Sequence, residues 1–176
     1  MTSLLSFYSP PTRPTDEARR QAAVEHSGIL GRADEPALQD IVARAAALFG
    51  VTTAALSIID RHRQWFAARI GLGVCETNRA ISFCGHAILT PERVLIVPDA
   101  SRDRRFAGNP LVIGEFGLRF YAGAPLRTEA GDTLGALCVI GTRPQMPTPD
   151  QVEALTALSH EAAGIIAALA RECPAT

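Results

Sequence analysis

A cysteine and a histidine two residues apart, Cys84 and His86, have the clearest capacity for nucleophilic chemistry in this sequence. A protonated imidazole beside a thiol lowers the pKa of the thiol and yields a reactive thiolate. However, the sequence pattern predicts a short helix over residues 81–89, and residues at i and i+2 of a helix do not face each other. The alternative interpretation makes Cys84 a small buried hydrophobic residue and gives His86 a hydrogen bond to a backbone carbonyl or to Asp99.

The same residues make a poor metal centre. Zinc needs three or four convergent ligands, and Cys84, His86, Asp99 and Asp103 match no zinc-binding spacing. His86 could serve as an axial haem ligand, but nothing else in the sequence marks a haem site. No nucleophile elbow, phosphate-binding glycine loop or pair of catalytic carboxylates is present. We therefore expect no metal, no cofactor and no catalytic residue.

Four polar residues accompany these segments, namely Arg79, Asp99, Arg105 and Asn109. Arg79 or Arg105 could bind a carboxylate or phosphate of a ligand through two hydrogen bonds. The competing interpretation is structural. In it, Asp99 pairs with an arginine and Asn109 caps the loop backbone, so that both hold a long connection in place. We favour the structural interpretation for Asp99 and Asn109.

Four aromatic residues, Phe83, Phe106, Phe120 and Tyr121, complete the candidate ligand-binding set. Phe120 and Tyr121 are neighbours on a predicted strand, so they point to opposite faces of the sheet. Only one of them can therefore line a pocket. Phe83 and Phe106 come from two segments that could close over a ligand or fill the space themselves.

The elements that must position these residues are helices at both ends of the chain and hairpins between them. Asp34 is predicted to cap the second helix, which ends at Gly50, and Thr148 to cap the last. Pro125 should lie near a strand end or a bulge. We predict helices at 16–27, 36–49, 81–89 and 148–173, strands at 51–60, 64–70, 94–97, 118–126 and 133–140, and loops at 71–80 and 98–117. This order indicates an α+β fold, with terminal helices on one face of an antiparallel sheet and the mid-chain segments on the other.

The composition narrows the class of protein. The 176 residues are 47% apolar and 20% charged, with a net charge of −1, so we expect no nucleic-acid partner and no anionic membrane surface. No stretch approaches the roughly 20 apolar residues of a membrane span, and residues 1–11 lack a signal peptide. We predict a cytoplasmic protein with an extended or disordered leader at 1–15 and a single domain at 16–173. The four cysteines form no CxxC pair and should be thiols.

Several motifs in sequence order resemble GAF domains, in particular a bacterial subgroup found alone or ahead of histidine kinase and cyclic di-GMP enzyme domains. The motifs are RAISFCGHAI at 79–88, VPDA at 97–100, DRRF at 103–106, NPL at 109–111, RFYAGAPL at 119–126 and GALCVI at 135–140. The resemblance covers roughly residues 34–169. It implies a sheet of five to six strands, terminal helices that often form a dimer, and a pocket enclosed by the short helix near Cys84 and the long loop near Asn109.

By this resemblance the chain is a sensory or regulatory module of bacterial signal transduction that binds an unidentified small molecule. We expect a homodimer through the terminal helices and a signalling-protein partner. A charge at Ile165 or Ile166 should dissociate that dimer. The fold hosts many ligands, so the resemblance does not name this one.

Other branches of the family provide the alternatives. A thiol redox sensor, or an enzyme that reduces methionine sulfoxide, would use Cys84 with Cys75 as resolving thiol. A bilin photoreceptor is disfavoured because no cysteine lies between Val94 and Leu137. The motifs of cyclic-nucleotide binding cannot be placed. A dimerisation or docking module without ligand would have its pocket filled by the aromatic residues.

Overall fold

An antiparallel sheet of six strands forms the centre of this computed structural model, which describes residues 7–172. The strand order is β3-β2-β1-β6-β5-β4. The strands are β1 (Thr53–Ile59), β2 (Arg63–Ile70), β3 (Glu76–Asn78), β4 (Leu95–Val97), β5 (Phe120–Arg127) and β6 (Thr133–Gly141). The helices are α1 (Glu17–His26), α2 (Pro36–Phe49), α3 (Phe83–Ala87), α4 (Pro110–Ile113) and α5 (Pro149–Glu172). The predicted α+β class and the number of strands are confirmed.

Both predicted hairpins are present, β1–β2 and β5–β6. The turn between β5 and β6 closes with a hydrogen bond from Thr128 N to Asp132 O of 2.8 Å. Pro125 lies two residues before the end of β5, beside a register shift, as its missing N–H requires. The prediction of an irregular loop at 71–80 was wrong in part, because β3 pairs there with the start of β2 at the sheet edge.

Helices α1, α2 and α5 cover one face of the sheet, which we call the helical face. Its core joins the apolar stripes of α2 and α5 to the strands, for example Leu38, Leu137 and Leu155, all 0% exposed. Gly50 ends α2 in the left-handed region, with φ of 63°, as predicted. The predicted cap Asp34 was wrong, because Glu35 is the N-cap residue and Asp34 has a positive φ of 62°.

Helix α5 qualifies as a membrane span by length and composition alone, with 24 residues and a mean hydropathy of 1.3 over its best window. This corrects the expectation that no stretch approaches that character. The helix packs Leu155, Ala162 and Ile166 on the sheet, and the Ser159 hydroxyl donates to Pro125 O at 2.8 Å. Only 28% of the window is buried, so α5 packs one side on the sheet and leaves much of its apolar surface uncovered in the single chain.

The other face, which we call the pocket face, is covered by α3, α4 and the connection between β4 and β5. That connection contains a 3₁₀ turn at Ala100–Arg102 in addition to α4. Ahead of α1, residues 7–14 form no regular secondary structure, and hydrogen bonds from Ser9 N to Arg105 O and from Gly108 N to Phe7 O hold this segment to the connection. Residues 1–6 of the predicted leader and residue 173 lie outside the described chain.

Candidate functional site

The pocket face contains a cavity of about 210 Å³ between the sheet, α3 and the segment after β2. It reaches the surface beside Gly73 and Val74, which are both exposed. Of the described residues that line it, none carries a charge. The lining comprises Gln64, Phe66, Gly71, Leu72, Gly73, Val74, Thr77, Phe83, Cys84, Leu111, Phe116, Leu118, Tyr121, Cys138 and Ile140.

Local sequence explains how α3 is held over the cavity. Asn78 accepts a hydrogen bond from Ala80 N at 2.8 Å and starts the 3₁₀ turn Arg79–Ile81. Ser82 then caps α3 by accepting from Gly85 N at 3.1 Å, while its hydroxyl donates to Arg79 O at 2.6 Å. Two successive polar caps therefore fix the position of Cys84, which follows them in α3.

A cluster of hydroxyl and thiol groups lies at the inner end of the cavity. The Tyr121 hydroxyl donates to Cys84 Sγ at 3.0 Å, and Cys138 lines the same cavity wall beside Cys84. Ser57 Oγ is fully buried without a hydrogen-bond partner among the described residues and lies near both sulfurs. Gly123 makes this arrangement possible, because a Cβ at that position would collide with the Tyr121 hydroxyl.

The environment separates the two thiols in acidity. Burial raises the pKa of Cys84, but the neighbouring side chains of Cys138, Ser57 and Tyr121 outweigh it and leave that pKa below its ordinary value. The proximity of Cys84, together with burial, raises the pKa of Cys138 well above the ordinary value. Burial also raises the pKa of Tyr121. Cys84 is therefore the thiol that loses its proton first.

Three of the predicted ligand-binding residues, Phe83, Cys84 and Tyr121, meet in the cavity wall. Phe106 lies behind Phe83, with ring centroids 4.0 Å apart and nearly parallel planes. Phe120 has to be removed from the predicted set. It projects to the helical face, where its ring lies 6.0 Å from that of Phe49.

The predicted polar residues lie outside the cavity. Asp99 accepts from Ser101 N at 3.0 Å, and Asn109 accepts from Leu111 N at 2.9 Å while donating to Ile81 O at 3.0 Å. Both act on loop backbone, in line with the structural interpretation, although Asp99 holds a serine and not an arginine. Arg105 pairs with Asp103 at 2.7 Å and lies over the Phe106 ring.

His86 does not pair with Cys84. Its Nε2 makes a hydrogen bond of 2.9 Å to the backbone oxygen of Ser9, and its ring meets the edge of Phe106. Burial lowers the pKa of His86, and the neighbouring charge of Arg105 lowers it further. The second interpretation of this histidine, a hydrogen bond to a backbone carbonyl, describes it correctly.

Arg79 is buried, and it binds Glu17 of α1 with both guanidinium nitrogens, at 2.5 and 3.1 Å. The buried Arg20 binds the same carboxylate at 2.8 Å. Burial raises the pKa of Glu17, but the two arginines more than offset it and bring the pKa to about 2. Arg79 is therefore a link between the turn that precedes α3 and the first helix, and is not a ligand contact.

Cys138, Phe116 and the Leu72–Val74 segment line the cavity but were not predicted to do so. The alternation of side chains along a strand can assign Cys138 to a face of β6, but it cannot identify its partner on another element. Cys75, the resolving thiol of the reductase alternative, is exposed and does not line the cavity. No group of three or more metal-ligating side chains occurs within residues 7–172.

A second depression, of about 1,060 Å³, lies on the helical face between α1, α5 and the β5–β6 turn. It is a broad open groove with charged residues of both signs along its rim. Along α5 four small residues, Ala163, Gly164, Ala167 and Ala170, line the groove together with the larger His160, Ile166 and Arg171. The shape suits a helix better than an enclosed small molecule.

The sequence of this chain matches those of known proteins. The GAF domain family model matches residues 35–166. This chain belongs to the GAF domain family. It is 44% identical over 157 residues to a cyclic di-GMP phosphodiesterase of Pseudomonas aeruginosa. The alignment covers 89% of this chain but only 26% of that relative.

Solved GAF structures share the fold at low sequence identity. The GAF domain of an Acinetobacter phosphoenolpyruvate-protein phosphotransferase has a TM-score of 0.61 at 18% identity, covering 88% of this chain and 95% of the other. A domain of a putative two-component sensor histidine kinase of Sinorhizobium meliloti has a TM-score of 0.58 at 14% identity, covering 78% and 97%. A sensory role in signalling fits the family and these relatives.

Proposed function

We propose that this GAF domain is a regulatory sensor whose pocket-face cavity binds a small, uncharged and mostly apolar molecule. The observation that carries the proposal is the cavity itself, whose wall is mostly apolar and includes two thiols and the uncharged polar residues Gln64, Thr77 and Tyr121. Burying an unpaired ionic group against such a wall would be costly, and no described lining residue offers a counter-charge. At about 210 Å³ the cavity is smaller than most drug-sized sites, so the ligand should be correspondingly small.

Cyclic di-GMP does not match this cavity. A dinucleotide with two phosphates needs more space and basic partners, and Arg79, Arg105 and Arg119 of the pocket face are engaged with carboxylates or backbone oxygens. In our proposal cyclic di-GMP is instead the substrate of an enzyme that this domain regulates, because the chain is similar to a cyclic di-GMP phosphodiesterase of Pseudomonas aeruginosa. The domain itself is regulatory and does not catalyse that reaction.

The ion pair between Arg79 and Glu17 connects the pocket face to the terminal helices. Ser82, the cap of α3, donates a hydrogen bond to the backbone oxygen of Arg79, and Arg79 binds Glu17 of α1. A ligand that displaces α3 would strain this connection. The change would thereby reach the terminal helices, which face away from the ligand.

We further propose that the domain is a cytoplasmic bacterial homodimer assembled through its terminal helices. The support is α5, an apolar helix of which about a quarter is buried within one chain. Its strip of small residues beside the groove permits the close approach of a helix from a second copy. A membrane is a poorer partner, because the helix is already packed against the sheet along one side.

Native mass spectrometry of the purified protein, compared with its denatured mass, tests ligand binding. We expect a non-covalent species of small mass, released on denaturation. The Leu72→Trp variant should lose it by filling the cavity, while Leu48→Trp on the helical face should retain it. Retention by both variants would overturn the assignment of the cavity as the site.

Light scattering tests the dimer independently. Ala167 is exposed in the groove, so Ala167→Glu should give a folded monomer, whereas the control Ile113→Glu, at an exposed position of α4 on the pocket face, should leave the mass unchanged. Ile166, one of the two positions suggested from the sequence, is unsuitable because it is 2% exposed in the core. An unchanged dimer in Ala167→Glu would contradict this interface.

A further inference from the structure

We propose that Cys84 and Cys138 form a peroxide-reactive dithiol, oxidised to a disulfide by small organic hydroperoxides that enter the cavity. The two side chains come from different elements, α3 and the central strand β6, and meet in one cavity wall, where the Tyr121 hydroxyl donates to Cys84 Sγ at 3.0 Å. Both side chains line the cavity although they are only 1% and 2% exposed. This inference depends on the shape of the cavity but not on the identity of the sensed ligand.

The surroundings favour attack by Cys84. A thiolate is the nucleophile toward peroxides, and the Tyr121 hydroxyl, which donates to Cys84 Sγ at 3.0 Å, stabilises that thiolate. The Ser57 hydroxyl is buried near the sulfurs without a hydrogen-bond partner among the described residues, so it is available to the sulfur or to an arriving oxygen. A purely structural cysteine needs none of these contacts.

The apolar wall selects the oxidant. A hydroperoxide with a small apolar group can place that group against Phe83, Leu118 and Phe116 while its O–O bond approaches the thiols. Hydrogen peroxide reaches the same sulfur but gains nothing from the wall. The structure therefore favours organic hydroperoxides over hydrogen peroxide.

The reaction balances in two steps. The Cys84 thiolate attacks the terminal oxygen of ROOH, the O–O bond breaks, and the alkoxide takes up a proton to leave as ROH. Cys84 is then a sulfenic acid. The sulfur of Cys138 attacks that of Cys84, the S–S bond forms, the S–O bond breaks, and the hydroxide leaves as water with the Cys138 proton. Two thiols and one ROOH become one disulfide, ROH and water.

A disulfide between these residues would join α3 to β6. Tyr121 would lose the thiolate that accepts its hydrogen bond, and α3 would be fixed close to the sheet. Because the turn before α3 carries Arg79, oxidation would reach α1 through Glu17. The dithiol would thus act on the same helices as a bound ligand.

The experiment uses a Cys75→Ser/Cys173→Ser background in which Cys84 and Cys138 are the remaining thiols. After stoichiometric cumene hydroperoxide, alkylation and denaturation, the intact mass should fall by about 2 Da, and peptide mapping should find the Cys84–Cys138 bond. The same amount of hydrogen peroxide should react at least about tenfold more slowly. Catalysed methionine sulfoxide turnover is not required.

Two matched variants distinguish the proposal from incidental oxidation. In that background, Cys138→Ser should stop at a sulfenic acid, a gain of about 16 Da that dimedone traps, and Cys84→Ser should not react. Circular dichroism checks that each is folded. The proposal is overturned if the folded parent stays reduced, if Cys84→Ser reacts at the parent rate, or if hydrogen peroxide is the faster oxidant. None of these results depends on ligand retention in native mass spectrometry.

Discussion

The two faces of the same sheet differ in how tightly their side chains are packed. On the helical face, the central strands β1 and β6 present large side chains such as Leu56, Leu137 and Val139, which interlock with α2 and α5. On the pocket face the centres of the same strands present small residues, Ala55, Ala136 and Cys138, with Ile59 and Ile140 at the strand ends. A strand alternates its side chains between faces, so one segment can specify a filled core and a cavity together.

The comparison assigns different roles to the aromatic residues as well. Phe120 fills the helical core beside Phe49, whereas its neighbour Tyr121 spans the pocket face over Gly123 toward Cys84. Phe83 and Phe106 stack above the small strand residues but do not fill the space beneath. The helical face is therefore close-packed and stabilises the fold, whereas the pocket face is packed less tightly and retains a cavity.

The largest expected effect is a loss of stability when the close-packed helical face is disrupted. Leu137→Ala should lower the free energy of unfolding by about 3 to 4 kcal/mol, because it removes a fully buried side chain from close-packed surroundings. Leu72→Ala at the cavity should cost less than about 1.5 kcal/mol, since its neighbourhood is already open. Urea unfolding measures both. Equal losses would contradict the distinction between the faces.

A smaller effect is expected at Glu17, where the two faces are joined. Glu17→Gln should cost about 2 kcal/mol by leaving the buried Arg20 and Arg79 without their charge partner, with a reduction for the 17% exposure of Glu17. The control is Glu153→Gln on the exposed side of α5, which should be neutral. Chemical denaturation at pH 7 measures the difference.

The pH dependence sharpens the same prediction. The pKa of Glu17 is about 2 in the folded chain against an ordinary value of 4.5, so the unfolded chain binds the proton more readily as pH falls. The stabilisation by Glu17 is complete above about pH 5 and is lost between pH 4.5 and 2. Wild type and Glu17→Gln should therefore converge in stability across that range. A gap that stays constant down to pH 2 would refute the role of the charge.

The smallest expected effect concerns the hydrogen bond on the pocket face. Tyr121→Phe should cost about 1 kcal/mol in unfolding free energy while keeping the ring in place. It should also slow alkylation of Cys84 at neutral pH, because the thiolate loses a donor. The Phe120→Tyr variant provides the matched comparison on the helical face, where an added hydroxyl has no equivalent role. Unchanged Cys84 reactivity in Tyr121→Phe would remove Tyr121 from the thiol site.

Sequence patterns predicted the elements whose signals are local. The stripe of α2, its end at Gly50 and the hairpin turn near Gly131 depend on neighbouring residues, and the opposition of Phe120 and Tyr121 follows from strand geometry. The partners that depend on tertiary contact were not predictable. Arg79 and Glu17 are 62 residues apart, and Cys84 meets Cys138 only once α3 lies over β6.

The most direct test of the pocket-face cavity as the binding site is a ¹H–¹⁵N NMR titration with indole, a small uncharged aromatic probe. Saturable shifts should be confined to the cavity wall, in particular Leu72, Gly73, Val74, Cys84 and Tyr121, and should disappear in Leu72→Trp. Shifts centred on the groove between α1 and α5, or no shifts up to the solubility limit of indole, would contradict the account.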